Sequence, residues 1–141
     1  MNKKVVKELN AYLKGEYMAI KSYQDFIERT KDPSIRQKLQ SIRQDHERHA
    51  VRISERISNL GGRPVKGAGF MGIMSDIRNL MKKNSSDTQF IIEDAGRGEY
   101  RGIQMAEEIV KGDLDPDSRN LVNKILDEDR SHVEKLKGFV Q

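Results

Sequence analysis

Slid along itself by 83 positions, the 141-residue sequence meets a second copy of its own pattern. Gly15-Glu16-Tyr17 falls on Gly98-Glu99-Tyr100, Asp32-Pro33 on Asp115-Pro116, Arg36 on Arg119, Ile42 on Ile125 and His49 on His132, all in one ungapped register. Chance supplies one such match; several in a single register indicate an internal duplication. Each copy reads as two helical stretches separated by Asp-Pro. Asp caps and Pro in the first turn costs no hydrogen bond, so the dipeptide starts a helix.

The helical periodicity runs from about residue 3 to 30, 34 to 60, 88 to 111 and 117 to 139. Gly61-Gly62-Arg63-Pro64 stops the second stretch. Two hairpins with short turns predict an all-α fold, an antiparallel four-helix bundle. Its halves, about residues 3–60 and 88–139, are joined by a long crossover at 61–87 within a single domain over 1–141. Phe70, Ile73, Ile77 and Leu80 recur at helical spacing and predict a short helix in that crossover, where Met71, Met74 and Met81 are expected to pack.

Composition narrows the chemistry. With 34% charged and 35% hydrophobic residues, long amphipathic helices with solvated outer faces are expected. The absence of Cys excludes disulfides, thiol catalysis, iron–sulfur clusters and Cys-bound metal. The formal net charge of +4 arises from interleaved acids and bases, without the basic, aromatic-studded block of a single-strand binder, so no specific nucleic-acid partner is expected. No signal-peptide core and no apolar run of membrane-spanning length are present, and a cytoplasmic location is expected.

Each helix carries a core stripe broken by polar residues. In the first, Leu9, Leu13, Glu16, Ile20, Tyr23 and Ile27 form the seam; in the second, Ile35, Leu39, Ile42, His46, His49 and Ile53. The third offers Ile92, Gly96, Glu99, Ile103, Ala106 and Val110, and the fourth Val122, Ile125, Asp129, His132 and Leu136. At about 1.5 Å per residue, Glu16 lies roughly 26 Å below the first turn, with His46 and His49 roughly 20 and 24 Å below it. The second hairpin repeats these heights. Glu16, His46, His49, Glu99, Asp129 and His132 are therefore expected to meet in one slab of the interior. Buried carboxylates cost several kcal/mol apiece unless paired, protonated or coordinated. Carboxylate with imidazole suits iron, manganese or zinc, and a satisfied polar network is the metal-free alternative.

A Glu from each of two helices with a carboxylate-x-x-His pair from each of the other two resembles the ferritin-like superfamily of ferritins and rubrerythrins. The similarity is nearest to small uncharacterised bacterial members with a short crossover helix. The resemblance implies that Glu16 and Glu99 are terminal ligands, His49 and His132 imidazole ligands, and Asp129 a bridging carboxylate. It implies one or two iron ions, with oxygen or peroxide as the small oxidant. His46 departs from the pattern, standing where a second bridging Glu belongs, so a single ion, an unequal pair and an empty site all remain open. Asp45 and Glu47, both off the seam, are the neighbouring acids available as substitutes. The runner-up function is a non-enzymatic stress or interaction protein with a degenerate site. A homodimer is expected on general grounds. Gly15 and Gly98 suggest close helix approach or a bulge, and Tyr17 and Tyr100 are candidates to hydrogen-bond a ligand carboxylate.

Overall fold

Four helices carry the described residues, 2–67 and 87–139 of the computed structural model: α1 (Lys3–Arg29), α2 (Pro33–Asn59), α3 (Thr88–Val110) and α4 (Pro116–Phe139). The expected short crossover helix, with Met71, Met74 and Met81, lies outside the described residues. Each N-terminus is closed by a side chain accepting from otherwise orphaned amides. Asn2 takes Val5 N–H at 3.2 Å, Asp32 takes Ser34 at 2.9 Å, Asp87 takes Gln89 at 2.9 Å and Asp115 takes Ser118 at 3.2 Å. The duplicated arginines hold the two turns. Arg36 donates to the Thr30 carbonyl at 2.6 Å, and Arg119 to those of Gly112 and Leu114 at 3.3 and 3.0 Å. At the end of α2, Gly61 adopts a φ of 83°, which favours glycine. At Gly62 a Cβ would stand 2.6 Å from a Val6 methyl.

The helices form a ring in which α1 packs on α2 and α3, and α4 on α3 and α2. This is the all-α four-helix bundle the repeat implies. Nearly every seam residue is buried; Gly96 and Val110 are half-buried, and Ala95 and Ile91 take the inward places on α3 instead.

The core is divided. One apolar cluster holds Leu9, Leu13, Ile53, Ile57, Ile103 and Ile125, and a second holds Phe26, Leu39, Ile42, Ile91, Ile92 and Leu136. On α2, α3 and α4 the polar seam residues fall between the two; on α1 Glu16 lies between Leu13 and Ile20, both of the first cluster, and one turn or more before Tyr23 of the second. A water-excluded layer of carboxylates and imidazoles is thus roofed and floored by aliphatic side chains. No described helix is long and apolar enough to cross a membrane.

Candidate metal centre

All six seam residues meet in that layer, and none is more than 4% exposed. Their ligand atoms form two overlapping sets: Glu16, His46, His49 and Asp129, and His46, Glu99, Asp129 and His132, with the atoms of each set within 4.8 Å of one another. Glu16 with His49 and Glu99 with His132 are related by the 83-residue repeat. His46 and Asp129, also so related, belong to both sets.

His46 presents Nδ1 to Glu16 Oε2 at 2.8 Å and Nε2 to Glu99 Oε1 at 2.7 Å. An ionised carboxylate only accepts, so a ring placed between two of them is held with both nitrogens protonated. Burial opposes that charge, but the two carboxylates outweigh it and raise the pKa well above 6.5. Burial would also raise Glu99, yet His46 and His132 draw its carboxyl down to about 2, and Glu16 is lowered in the same way by His46 and His49. Asp129 is different. Burial, reinforced by repulsion from Glu16 and Glu99, lifts it to about 6 against the pull of His132.

Hydrogen bonding leaves part of the layer unmatched. Both nitrogens of His49, Oδ1 of Asp129 and Nδ1 of His132 are buried without a hydrogen-bond partner. His132 Nδ1 lies 3.2 Å from Glu99 and 3.5 Å from Asp129, outside hydrogen-bond geometry, and His49 Nδ1 lies 3.6 Å from Glu16 and 4.0 Å from Asp129. Unpaired buried polar atoms cost about 1–3 kcal/mol each, and a divalent cation among them would satisfy several at once. The donor set and its orphaned atoms therefore fit a metal ion.

A second ring of side chains orients the imidazoles. His132 Nε2 pairs with Asp45 Oδ2 at 2.8 Å, which turns Nδ1 toward the cluster. His49 Nε2 faces Glu128 at 3.4 Å. Each carboxylate comes from the opposite hairpin, and Arg48 joins them by donating to both Asp45 and Glu128. Such outer carboxylates set imidazole orientation and basicity at metal sites. Asp45 thus contacts a histidine rather than replacing a ligand, while Glu47 pairs with Arg43 at 3.1 Å.

The tyrosine and glycine expectations change. Tyr17 donates to the Val65 carbonyl at 3.3 Å, and Tyr100 is 60% exposed. Tyr23 instead donates to Glu99 Oε1 at 2.8 Å, and Tyr12, one turn before Glu16, lies buried beside the cluster. The position of Tyr23 on the stripe, and of Tyr12 three residues after Leu9 and four before Glu16, was the only signal, because a tyrosine there reads as packing. At Gly15 an added Cβ would meet Met105 Sδ at 3.6 Å, and at Gly98 Arg101 at 3.9 Å, so neither glycine marks a close helix approach.

A four-helix ring around a buried carboxylate–imidazole layer, built from a duplicated hairpin, is a ferritin-like fold. Solved structures agree. A two-domain protein from Anabaena variabilis ATCC 29413 with DJ-1/ThiJ/PfpI-like and ferritin-like domains aligns over 96% of this chain and 38% of its own, at 19% identity and TM-score 0.79. This chain thus spans little more than a third of that protein. The bacterioferritin-related protein of Bacteroides fragilis, a dodecameric thioferritin, aligns over 98% and 84% at 21% identity and TM-score 0.77. A ferritin-like, diiron-carboxylate protein from Bacillus anthracis str. Ames aligns over 99% and 96% at 23% and 0.72. By sequence, the chain belongs to the family described as Domain of unknown function (DUF2383), which matches residues 4–112. No curated protein matches it.

Proposed function

We propose that this chain is a ferritin-like iron protein of one domain over residues 1–141. It holds one or two ions at Glu16, His46, His49, Glu99, Asp129 and His132, with His46 giving up a ring proton to join them, and uses them in redox chemistry with oxygen or peroxide. The observation that carries the reading is the pair of overlapping ligand sets whose buried atoms lack hydrogen bonds. Bound iron supplies the electrons for reducing the oxidant.

The side chains around it have separable tasks. Glu16 and Glu99 provide negative charge on opposite sides of His46, and Tyr23 fixes one oxygen of Glu99. Asp45 holds His132 in the tautomer that leaves Nδ1 toward the cluster, and the two apolar clusters exclude bulk water. Manganese or zinc would find the same donors acceptable. The Bacteroides fragilis protein is dodecameric, which supports self-association here, a homodimer at the least. A cytoplasmic site of action accords with the absence, among the described helices, of a membrane-spanning one.

One observation favours a second reading. His46 already pairs with both Glu16 and Glu99, so a degenerate, metal-free bundle acting as a stress or interaction protein is the alternative. Anaerobic loading with Fe(II), compared between wild type and a His49→Ala/His132→Ala double variant, separates the two. One or two equivalents in wild type and none in the variant support the iron protein. No uptake by wild type, with stability unchanged in the variant, supports the alternative.

A further inference from the structure

The first hairpin binds a piece of its own chain. On α1 the Asn10 side chain donates to the Arg63 carbonyl at 3.0 Å and accepts from the Val65 amide at 2.9 Å, bracketing Pro64. Tyr17, about two turns further along the same helix, donates to the Val65 carbonyl at 3.3 Å. Gly67 rests on its ring, where a Cβ would stand 2.9 Å away. Residues 63–67, non-helical as far as 66, are thus held as a strap by two side chains that read backbone groups. Tyr17 also lines the adjoining groove between α1 and α2.

The 83-residue register carries Asn10 to Glu93 and Tyr17 to Tyr100, and both line a groove of about 530 Å³ between α3 and α4. Here Tyr100 is 60% exposed and makes no hydrogen bond among the described residues. The groove is not a plain copy. Where α1 has the fully buried Leu13, α3 has Gly96, and a Cβ added there would meet nothing within 4 Å. The missing side chain opens a floor that Ile92, Val133 and Leu136 leave apolar. Charge differs as well. Arg101 stands for Met18 and Lys137 for Ser54, so with Arg97 three cations line the groove against one acid, Glu93. Arg101 has no ion pair among the described residues. Arg97 and Lys137 reach Asp94 at 3.2 Å and Glu134 at 3.6 Å, exposed pairs that hold their charge only weakly.

We propose that the α3–α4 groove binds an acidic peptide segment of a partner protein, laid along Glu93 and Tyr100 as residues 63–67 lie along Asn10 and Tyr17. An apolar side chain of the guest fills the space at Gly96, and its acids meet Arg97, Arg101 and Lys137. Tyr100 donates to a guest carbonyl. Glu93, as a carboxylate, supplies only the accepting half of the Asn10 pair, and the cationic rim supplies the rest of the attraction. Backbone contacts give such a site its affinity and the side-chain pocket its selectivity. The volume alone would suit a small molecule; the strap on the first hairpin decides for a peptide. A second copy docked groove to groove is disfavoured, because a two-fold contact sets the three cations against their own kind. None of these residues belongs to the metal layer, so the groove stands whether or not iron is bound.

The probe is a phage-displayed library of short random peptides, panned on the full wild-type chain and in parallel on Gly96→Leu. That substitution fills the floor with the residue of the first hairpin and is expected to leave Tm no lower, since leucine favours a helix and meets open space there. Wild type is expected to enrich peptides with an apolar residue flanked by Asp or Glu, and Gly96→Leu is not. Panning on Arg101→Glu/Lys137→Glu, which alters two exposed positions, repeats the comparison independently of Gly96. The enriched peptide, titrated by fluorescence anisotropy, is expected to bind this double variant about tenfold more weakly and to weaken with added salt. Tyr100→Phe is expected to weaken it severalfold. No enrichment on wild type, or peptides that bind wild type and both altered grooves alike, overturns the proposal. So does self-association of wild type that Gly96→Leu and the double variant both abolish, since a second copy is then the occupant.

Discussion

The two hairpins share a register but not a charge. At one equivalent position the first carries His46, clamped between Glu16 and Glu99, and the second carries Asp129, crowded by the same two carboxylates. Duplication placed both side chains at the same depth between the same apolar clusters. A single difference in chemistry then made one the cation that settles the layer and the other the acid that unsettles it. The comparison teaches that the symmetry of a bundle fixes where polar groups meet, while residue identity decides whether they are satisfied there.

Making the two positions alike has the largest expected effect. His46→Glu removes one of the two internal cations, leaving His132, and adds a fourth buried acid, and breaking a buried ion pair costs about 3–5 kcal/mol. The metal-free variant is expected to melt far below wild type, to recover on adding Fe(II) or Mn(II), and to bind two ions per chain. Calorimetry with and without metal and elemental analysis check this; an indifferent Tm would mean that His46 does not balance Glu16 and Glu99.

Asp129→Asn acts in the opposite direction. Without metal it relieves repulsion and is expected to leave stability unchanged or raised by about 1 kcal/mol in urea unfolding. Metal uptake should nevertheless fall steeply, because both ligand sets share Asp129. If Asp129→Asn and His46→Ala destabilise the metal-free protein equally, the contrast between the hairpins is wrong.

The outer carboxylates sharpen the same comparison. Asp45 meets His132 at 2.8 Å, whereas Glu128 stands 3.4 Å from His49 without a hydrogen bond. Asp45→Ala is expected to weaken metal binding about 10–100-fold, and Glu128→Ala by less, in competition titrations with a chelator. Equal losses would show that the two imidazoles are supported alike.

The smallest effect lies at the turns. Asp32 accepts from amides of its own helix, while Asp115 accepts from Ser118 and also from Arg56 on α2 at 2.7 Å. Replacing either cap by Ala costs about 1 kcal/mol, with Asp115 the larger. Burial raises Asp115, but Ser118 and Arg56 together outweigh it and hold the carboxyl below 3.8. A depressed acid stabilises the fold above its unfolded value, and that gain disappears as pH falls through the folded value. The excess cost of Asp115→Ala over Asp32→Ala should thus be full at pH 7 and fade in acid, below 3.8, as the folded carboxyl takes up its proton; an excess that persists once it is protonated would exclude the ionised carboxylate as its source.

Much of this architecture was legible because helical periodicity is local. Asp32-Pro33 and Asp115-Pro116 begin helices for reasons contained in two residues, and the 3–4 spacing from Leu9 to Ile27 sets the buried stripe without knowledge of its partners. The six polar residues could be placed at one height for the same reason, since rise per residue is constant. Tyr23 and Asp45 were harder to assign. Tyr23 reads as packing until Glu99 is found opposite it, and Asp45 lies off the seam until α4 brings His132 within reach. The 83-residue register that relates Asp45 to Glu128 was present throughout, but an acid on an outer helix face carries no local mark of its partner.

Gly15 and Gly98 show the limit most plainly. Sequence pairs them and signals that something must lie beside them; whether that is a crossing backbone or open space depends on how far apart α1 and α3 settle, which the bulk of Met105, Phe26 and their neighbours determines. The order of helices, their inward faces and the level of the acidic and imidazole groups followed from the chain itself, because each is a short-range or periodic property. Which nitrogen faces which carboxylate and which atoms are left unmatched were decided by tertiary packing, because those are distances between residues far apart in sequence.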